Sequence, residues 1–154
     1  MADKMKPRIL YVDDEVKNLH TLKASLRRYF NVITVESVKK AYEVLKEIEI
    51  CVILSDQRMP EITGVEFFTS IKESHPDPIR MLITGYSDID VIKEAIKSGQ
   101  VYKYLEKPWE LDNLIMNINQ AVEVYNLRKE NKELTNKLLR VNKQLEFMLR
   151  EKLL

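Results

Sequence analysis

The apolar run ILYV (9–12) leads straight into Asp13, Asp14 and Glu15. Two carboxylates about 4 Å apart repel by about 4 kcal/mol at an effective dielectric of about 20. Something must offset that repulsion, or the side chains must diverge into water. Three more reactive groups follow short apolar runs: Asp56 in LSDQRMPEITG, Thr84 in LITGYSD and Lys107 in YLEKPWE. Brought together, three carboxylates with an open side suit a hard divalent ion such as Mg²⁺, which offsets their repulsion. A carboxylate can also attack phosphorus and form an acyl phosphate. That transfer asks the protein for positioning and charge neutralisation, which an ammonium and a hydroxyl supply.

The elements that must position these groups are legible as a repeating pattern. RILYV (8–12), VITV (32–35), CVILS (51–55), IRMLIT (79–84) and VYKYL (101–105) read as strands, being β-branched or aromatic and too short for buried helices. Several are apolar without alternation, as expected of strands covered on both faces of a parallel sheet. Between them, Leu19, Leu22, Leu26 and Tyr29 share a helical face, as do Val38, Ala41, Tyr42 and Leu45. Val65, Phe68 and Ile71, then Ile89, Ile92 and Ile96, repeat the spacing. Five β–α units imply an α/β fold, a five-stranded doubly wound parallel sheet, extended by a long C-terminal helix. Ligands of such sheets bind outside the carboxyl ends of the strands, where strand order reverses. All five reactive groups fall at strand ends.

The bulk composition narrows the class. The 154 residues fit one domain and a modest extension, with 45% hydrophobic and 32% charged residues. A net charge of +1 argues against nucleic-acid binding through bulk electrostatics. A single cysteine, Cys51, points to a reducing compartment. The start, MADKMKPR, has no apolar signal region, and the apolar run Ile50 to Leu54 is too short to span a bilayer. The expectation is a cytoplasmic protein without membrane contact.

Beyond Gly99 the chain has no glycine, and beyond Pro108 no proline. Leu114, Ile115, Ile118 and Val122 read as a last helix on the sheet, with a domain boundary placed between 122 and 123. From Val124 the apolar steps alternate between three and four through Leu127, Asn131, Leu134, Leu138, Val141, Leu145 and Met148. This heptad seam argues for a coiled coil, with residues 123–154 as a dimerising extension. Asn131 falls at an a position, which favours a parallel, in-register homodimer. The flanking positions pair Glu130 with Thr135 and Lys137 with Asn142, so no ion pair there selects the partner.

At the strand-end residues the chain resembles the receiver domain of two-component response regulators, over roughly residues 7–122. The resemblance implies the flavodoxin-like receiver fold, with Asp56 as phosphoryl acceptor from a histidine kinase or phosphotransfer protein. It implies Mg²⁺ held by Asp13, Asp14, Asp56 and the backbone carbonyl of Arg58. Thr84 and Lys107 would contact the phosphoryl group, and Tyr104 would be the aromatic partner of Thr84 in a conformational switch. It also implies a cis bond before Pro108 and a turn at Gly64. SDQRMP and KYLEKPWE look most like receivers attached to HD-GYP-type phosphodiesterases, although no such domain follows within these residues. The chain thus reads as a fragment of a longer regulator or as a receiver with a helical tail. It departs from commoner receivers in bulky Arg58 and Tyr86 and in Gly85.

Plainer readings stand beside these. Asp13–Asp14 could be a helix N-cap pair, Thr84 a strand-end hydroxyl, Lys107 a solvated charge and Tyr104 a packing aromatic. His20 and His75 lack metal-site spacing, Cys51 reads as a small core residue and Trp109 as a packing anchor. Two rival functions are a Mg²⁺-dependent aspartyl phosphatase and an interaction module that takes no phosphate. Gln57 and Arg58 follow Asp56 where the phosphatase pattern needs an acid two residues on, so a signalling role rather than an enzyme is expected.

Overall fold

The computed structural model of the chain describes residues 5–85 and 89–153. Strands and helices alternate: β1 (Arg8–Val12), α1 (Val16–Leu26), β2 (Asn31–Val35), α2 (Val38–Glu47), β3 (Val52–Asp56) and α3 (Gly64–Ile71). They continue as β4 (Ile79–Thr84), α4 (Ile89–Lys97), β5 (Lys103–Glu106) and α5 (Leu111–Leu153). The strands form one parallel sheet in the order β2-β1-β3-β4-β5, which is the flavodoxin-like doubly wound arrangement.

Strand geometry explains the unbroken apolar runs. Successive side chains point to opposite faces, and both faces of this sheet are covered. On β1, Ile9 and Tyr11 pack with Leu19 and Leu22 of α1 and Leu114 and Ile118 of α5. Leu10 and Val12 point the other way, among Ala41 of α2, Phe67 and Phe68 of α3, and Ile92 of α4. These four side chains are essentially fully buried, each such burial stabilising the fold by roughly 1.5–3 kcal/mol.

Helix ends follow local chemistry. Ser37 caps α2 by accepting from the Lys40 N–H, and Thr63 caps α3 by accepting from the Glu66 N–H. At the end of α4, Gly99 adopts φ 81°. The Gly99 N–H donates to Ile96 and the Gln100 N–H to Ala95, closing the helix as a Schellman turn.

Gly64 is needed for a different reason. A Cβ there would lie 2.6 Å from the Asp56 carbonyl oxygen and 2.5 Å from Leu82 Cδ2. The start of α3 therefore rests directly on the end of β3, with the Gly64 N–H donating to the Gln57 carbonyl.

Some expected boundaries shift. Helix α1 stops at Leu26, Tyr29 is exposed, and Phe30 fills the core position instead. Strand β5 starts at Lys103 rather than 101, although Val101 remains buried. Strand β3 includes Asp56 as its last residue.

Helix α5 is continuous over 43 residues, roughly 65 Å at the α-helical rise. Leu114, Asn117, Ile118, Ala121 and Tyr125 are buried against the sheet, and residues 126–153 are all exposed. Two loops at the edge of the sheet away from Asp56 hold the helix where it departs. Glu49 Oε1 accepts from the Tyr125 hydroxyl (2.6 Å) and from Lys129 Nζ (2.9 Å). Lys132 lies 3.9 Å from Asp77. No helix of the described residues is long and apolar enough to cross a membrane.

The Gly64 contact yields a prediction. Gly64→Ala should destabilise the domain by about 1–3 kcal/mol, because the new methyl meets rigid backbone. Thermal unfolding reads this, and an unchanged melting temperature would contradict the close approach.

Candidate functional site

The register of the sheet assembles the site. Val12 pairs with Ser55, so the next residues, Asp13 and Asp56, emerge side by side from β1 and β3. These are the strands between which the chain order reverses, where doubly wound sheets open a crevice. Thr84 closes β4 and pairs with Glu106 of β5, placing Lys107 one residue further on. Its N–H donates to the Thr84 carbonyl at 2.8 Å, and the Lys107–Pro108 bond is cis.

Lys107 draws the acids together. Its Nζ lies 3.3 Å from Asp56 Oδ2 and 3.5 Å from Asp13 Oδ2. Carboxylate oxygens of Asp13, Asp14 and Asp56 all lie within 4.8 Å of one another. One ammonium among three carboxylates leaves an excess of negative charge, and Asp14 stands exposed on the open side. A hard oxygen-donor set with that charge fits a divalent cation such as Mg²⁺.

Asp13 is fully buried and densely hydrogen-bonded. Its Oδ2 accepts from the Tyr11 hydroxyl (2.6 Å) and Asn18 Nδ2 (3.1 Å), and its Oδ1 from the Glu15 N–H (2.9 Å). It is not a helix cap: the N-cap of α1 is Glu15, which makes no side-chain cap bond. Burial and the Asp13 carboxylate hold the Tyr11 phenol well above its usual range, so it remains a proton donor. Asp56 is 13% exposed. Burial raises its carboxyl above the ordinary range; Lys107 and a backbone hydrogen bond from Arg58 pull it down, while Asp13 adds to the rise.

Thr84 is nearly buried. Tyr104 pairs with Leu82, and residues two apart on a strand share a face. Thr84 and the half-buried Tyr104 therefore lie on one face, Tyr104 packing against the cluster under α2, α3 and α4. Arg58 is exposed, and a Cβ on Gly85 would make only an ordinary 4.0 Å contact with Lys107. Tyr86 lies outside the described residues. A cleft of about 590 Å³ opens beside Asp13, lined by Tyr11, Asn18, Thr21, Lys107, Pro108 and Trp109.

Three contributors were not singled out from sequence. Tyr11 and Asn18 donate to Asp13, and Gln57 Oε1 accepts from the Val65 N–H, tying the loop after Asp56 to α3. Only Tyr11 had a signal, its spacing of two from Asp13 along a strand. Cys51 is half-buried, with burial pushing its thiol up. His20 is exposed, and the His75 ring meets the Ser74 hydroxyl (3.0 Å).

The family model for the response regulator receiver domain matches residues 9–119. The chain belongs to the response regulator receiver family. Among curated relatives of this receiver is the hydrogenase transcriptional regulatory protein HoxA of Bradyrhizobium diazoefficiens. It is 40% identical over 122 residues, 79% of this chain and 25% of that protein. The transcriptional regulatory protein ZraR of Escherichia coli is 34% identical, over 74% of this chain and 26% of its own length. The receiver chain thus spans about a quarter of these relatives. A structure described as adenylate cyclase from Rhodopirellula baltica superposes with a TM-score of 0.82 at 34% identity, covering 86% of this chain and 99% of that one. The signal receiver domain of an HD domain-containing protein from Pseudomonas fluorescens gives 0.77 at 27%, covering 84% and 96%. That likeness agrees with the flavour read from SDQRMP and KYLEKPWE.

The raised Asp56 carboxyl makes stability depend on pH. A carboxyl raised in the folded state binds more protons there than in the unfolded chain, so stability falls as pH climbs through the raised window. With divalent ions chelated, Asp56→Asn should therefore melt above the native chain at neutral pH. The difference should close as pH drops to the ordinary carboxylate range. Melting curves across pH test this, and a difference that does not vary with pH would contradict it.

Proposed function

We propose that the chain is a phosphorylation-controlled switch that accepts a phosphoryl group on Asp56 from a histidine kinase or phosphotransfer protein. The observation that carries this reading is Lys107 within 3.5 Å of both Asp13 and Asp56, with Asp14 beside them. Asp13, Asp14, Asp56 and the Arg58 carbonyl would hold Mg²⁺, which when bound supplies positive charge against the phosphoryl oxygens. The Asp56 carboxylate forms the new O–P bond as the donor's bond to phosphorus breaks. Lys107 moves from carboxylate to phosphoryl oxygen, and the Thr84 hydroxyl donates to the same group. Tyr104 then turns into the space that Thr84 leaves, coupling the site to the face of α4, β5 and α5. No steady turnover is assigned to the chain: its product is its own phosphorylated form.

Relatives named for transcription and for adenylate cyclase differ in output, so the output is assigned here from this chain's own residues. We take residues 1–122 as the receiver and 123–154 as a helical extension that pairs with a second copy. Leu127, Leu134, Leu138, Val141, Leu145 and Met148 are each more than 40% exposed, and with Asn131 they form a seam that needs a partner.

Acetyl phosphate with Mg²⁺ should add one phosphoryl group by intact mass, and Asp56→Asn should remove the labelling. Asp13→Asn with Asp14→Asn should lower divalent-ion affinity at least tenfold, since two anionic ligands are lost. Full labelling of the Asp56→Asn protein would sink the assignment.

The seam makes its own prediction. The full chain should sediment as a dimer, and a chain ending at Lys132, which keeps Tyr125 and its partners, as a monomer. Equal behaviour of the two would remove the seam as the cause.

A further inference from the structure

Helix α5 runs unbroken from Leu111 to Leu153, so the heptad frame of the tail continues upward onto the receiver. One heptad above Asn131, Val124 takes position a and Leu127 position d, with Glu123 at g and Arg128 at e. In a parallel pair, a g residue faces the e residue five places later on the partner helix. The pairs read from the tail alone, Glu130 with Thr135 and Lys137 with Asn142, carry no complementary charge. Glu123 with Arg128 does.

The structure leaves both groups available. Glu123 and Arg128 are exposed, and neither forms a salt bridge within its own chain among the described residues. Burial, and after it the like charge of Arg128, lowers the Arg80 guanidinium on β4, so a carboxylate beside Arg128 offsets like charge there. The receiver body leaves most of this turn open, with Val124 half-buried against the core cluster under α1 and α5. The buried stripe Leu114, Ile118, Ala121 and Tyr125 lies roughly 140° around the helix from the stripe through Leu127, Asn131, Leu134 and Leu138. Tyr125, Lys129 and Lys132, which bind Glu49 and Asp77, occupy the outer b and f positions of the same frame.

We infer that a second copy of this chain pairs with the first in parallel and in register, with Glu123 of each copy bonded to Arg128 of the other. Two-fold symmetry makes the contact twice, at the top of the seam where the two receivers meet the coil. This deepens the dimer reading given above and rests on it. The two pairs select orientation and register, which the flanks below them, without complementary charge, do not.

The test is charge reversal with recombination. Glu123→Arg sets two arginines against each other at both contacts, and Arg128→Glu sets two glutamates. Each single variant should self-associate roughly tenfold more weakly than the native chain, because two attractive contacts become repulsive. Mixing the two variants makes both contacts attractive again, so the mixture should regain native association. That recovery also shows that both variants fold. The difference should vanish near about 1 M salt. If the native chain dimerises and both variants match it, the ion pair is wrong while the dimer stands. If the variants weaken but the mixture does not recover, the parallel register is overturned in favour of an antiparallel pair. If the native chain sediments as a monomer at every concentration, the dimer reading fails and this inference falls with it.

Discussion

The fold turns on a conflict of charge at one edge of a sheet. Parallel strands must end somewhere, and here β1 and β3 end side by side in carboxylates that repel each other. The Lys107 ammonium lies between Asp13 and Asp56, and its attraction for both lets them share a crevice. The remaining negative charge is not a flaw to be minimised. It leaves the crevice primed for a cation and an electrophilic phosphorus, at a cost in stability that burial of Asp56 makes larger.

Everything around that crevice serves to hold it still. The two-faced sheet supplies a rigid floor, since β1 and β3 are packed from both sides. Gly64 lets α3 start in contact with the end of β3, and Gln57 fastens the loop between them. Tyr11, Asn18 and the Glu15 N–H fix the Asp13 carboxylate, so the acid cannot swing away when its ammonium partner moves. Positioning by many weak contacts is what a reaction governed by geometry and charge requires.

The strand ends were legible because apolar runs stop abruptly at Asp13, Asp56, Thr84 and Lys107, and period and punctuation together mark such stops. Tyr11 left only its spacing of two from Asp13, since an aromatic residue inside a strand has the same pattern whether its hydroxyl is bonded or idle. Asn18 and Gln57 act through contacts whose partners depend on loop geometry, which leaves no period to detect. Tyr29 and Phe30 show the limit of helical spacing. Both suit the end of an amphipathic stretch, and only packing decides that Phe30 goes in. The Glu49 and Asp77 contacts with α5 join loops to residues 76, 80 and 55 positions away, beyond the reach of local patterns.

Because a single helix is both a wall of the domain and its protruding arm, α5 is a lever with its fulcrum at Tyr125. The 28 residues beyond Tyr125, through Leu153, extend roughly 42 Å at the α-helical rise. A tilt of about 5° at the wall would carry the far end about 4 Å, roughly two-thirds of one helical turn. Adjustments too small to disturb the packing of the sheet thus become displacements large enough to change which side chains meet at the tip.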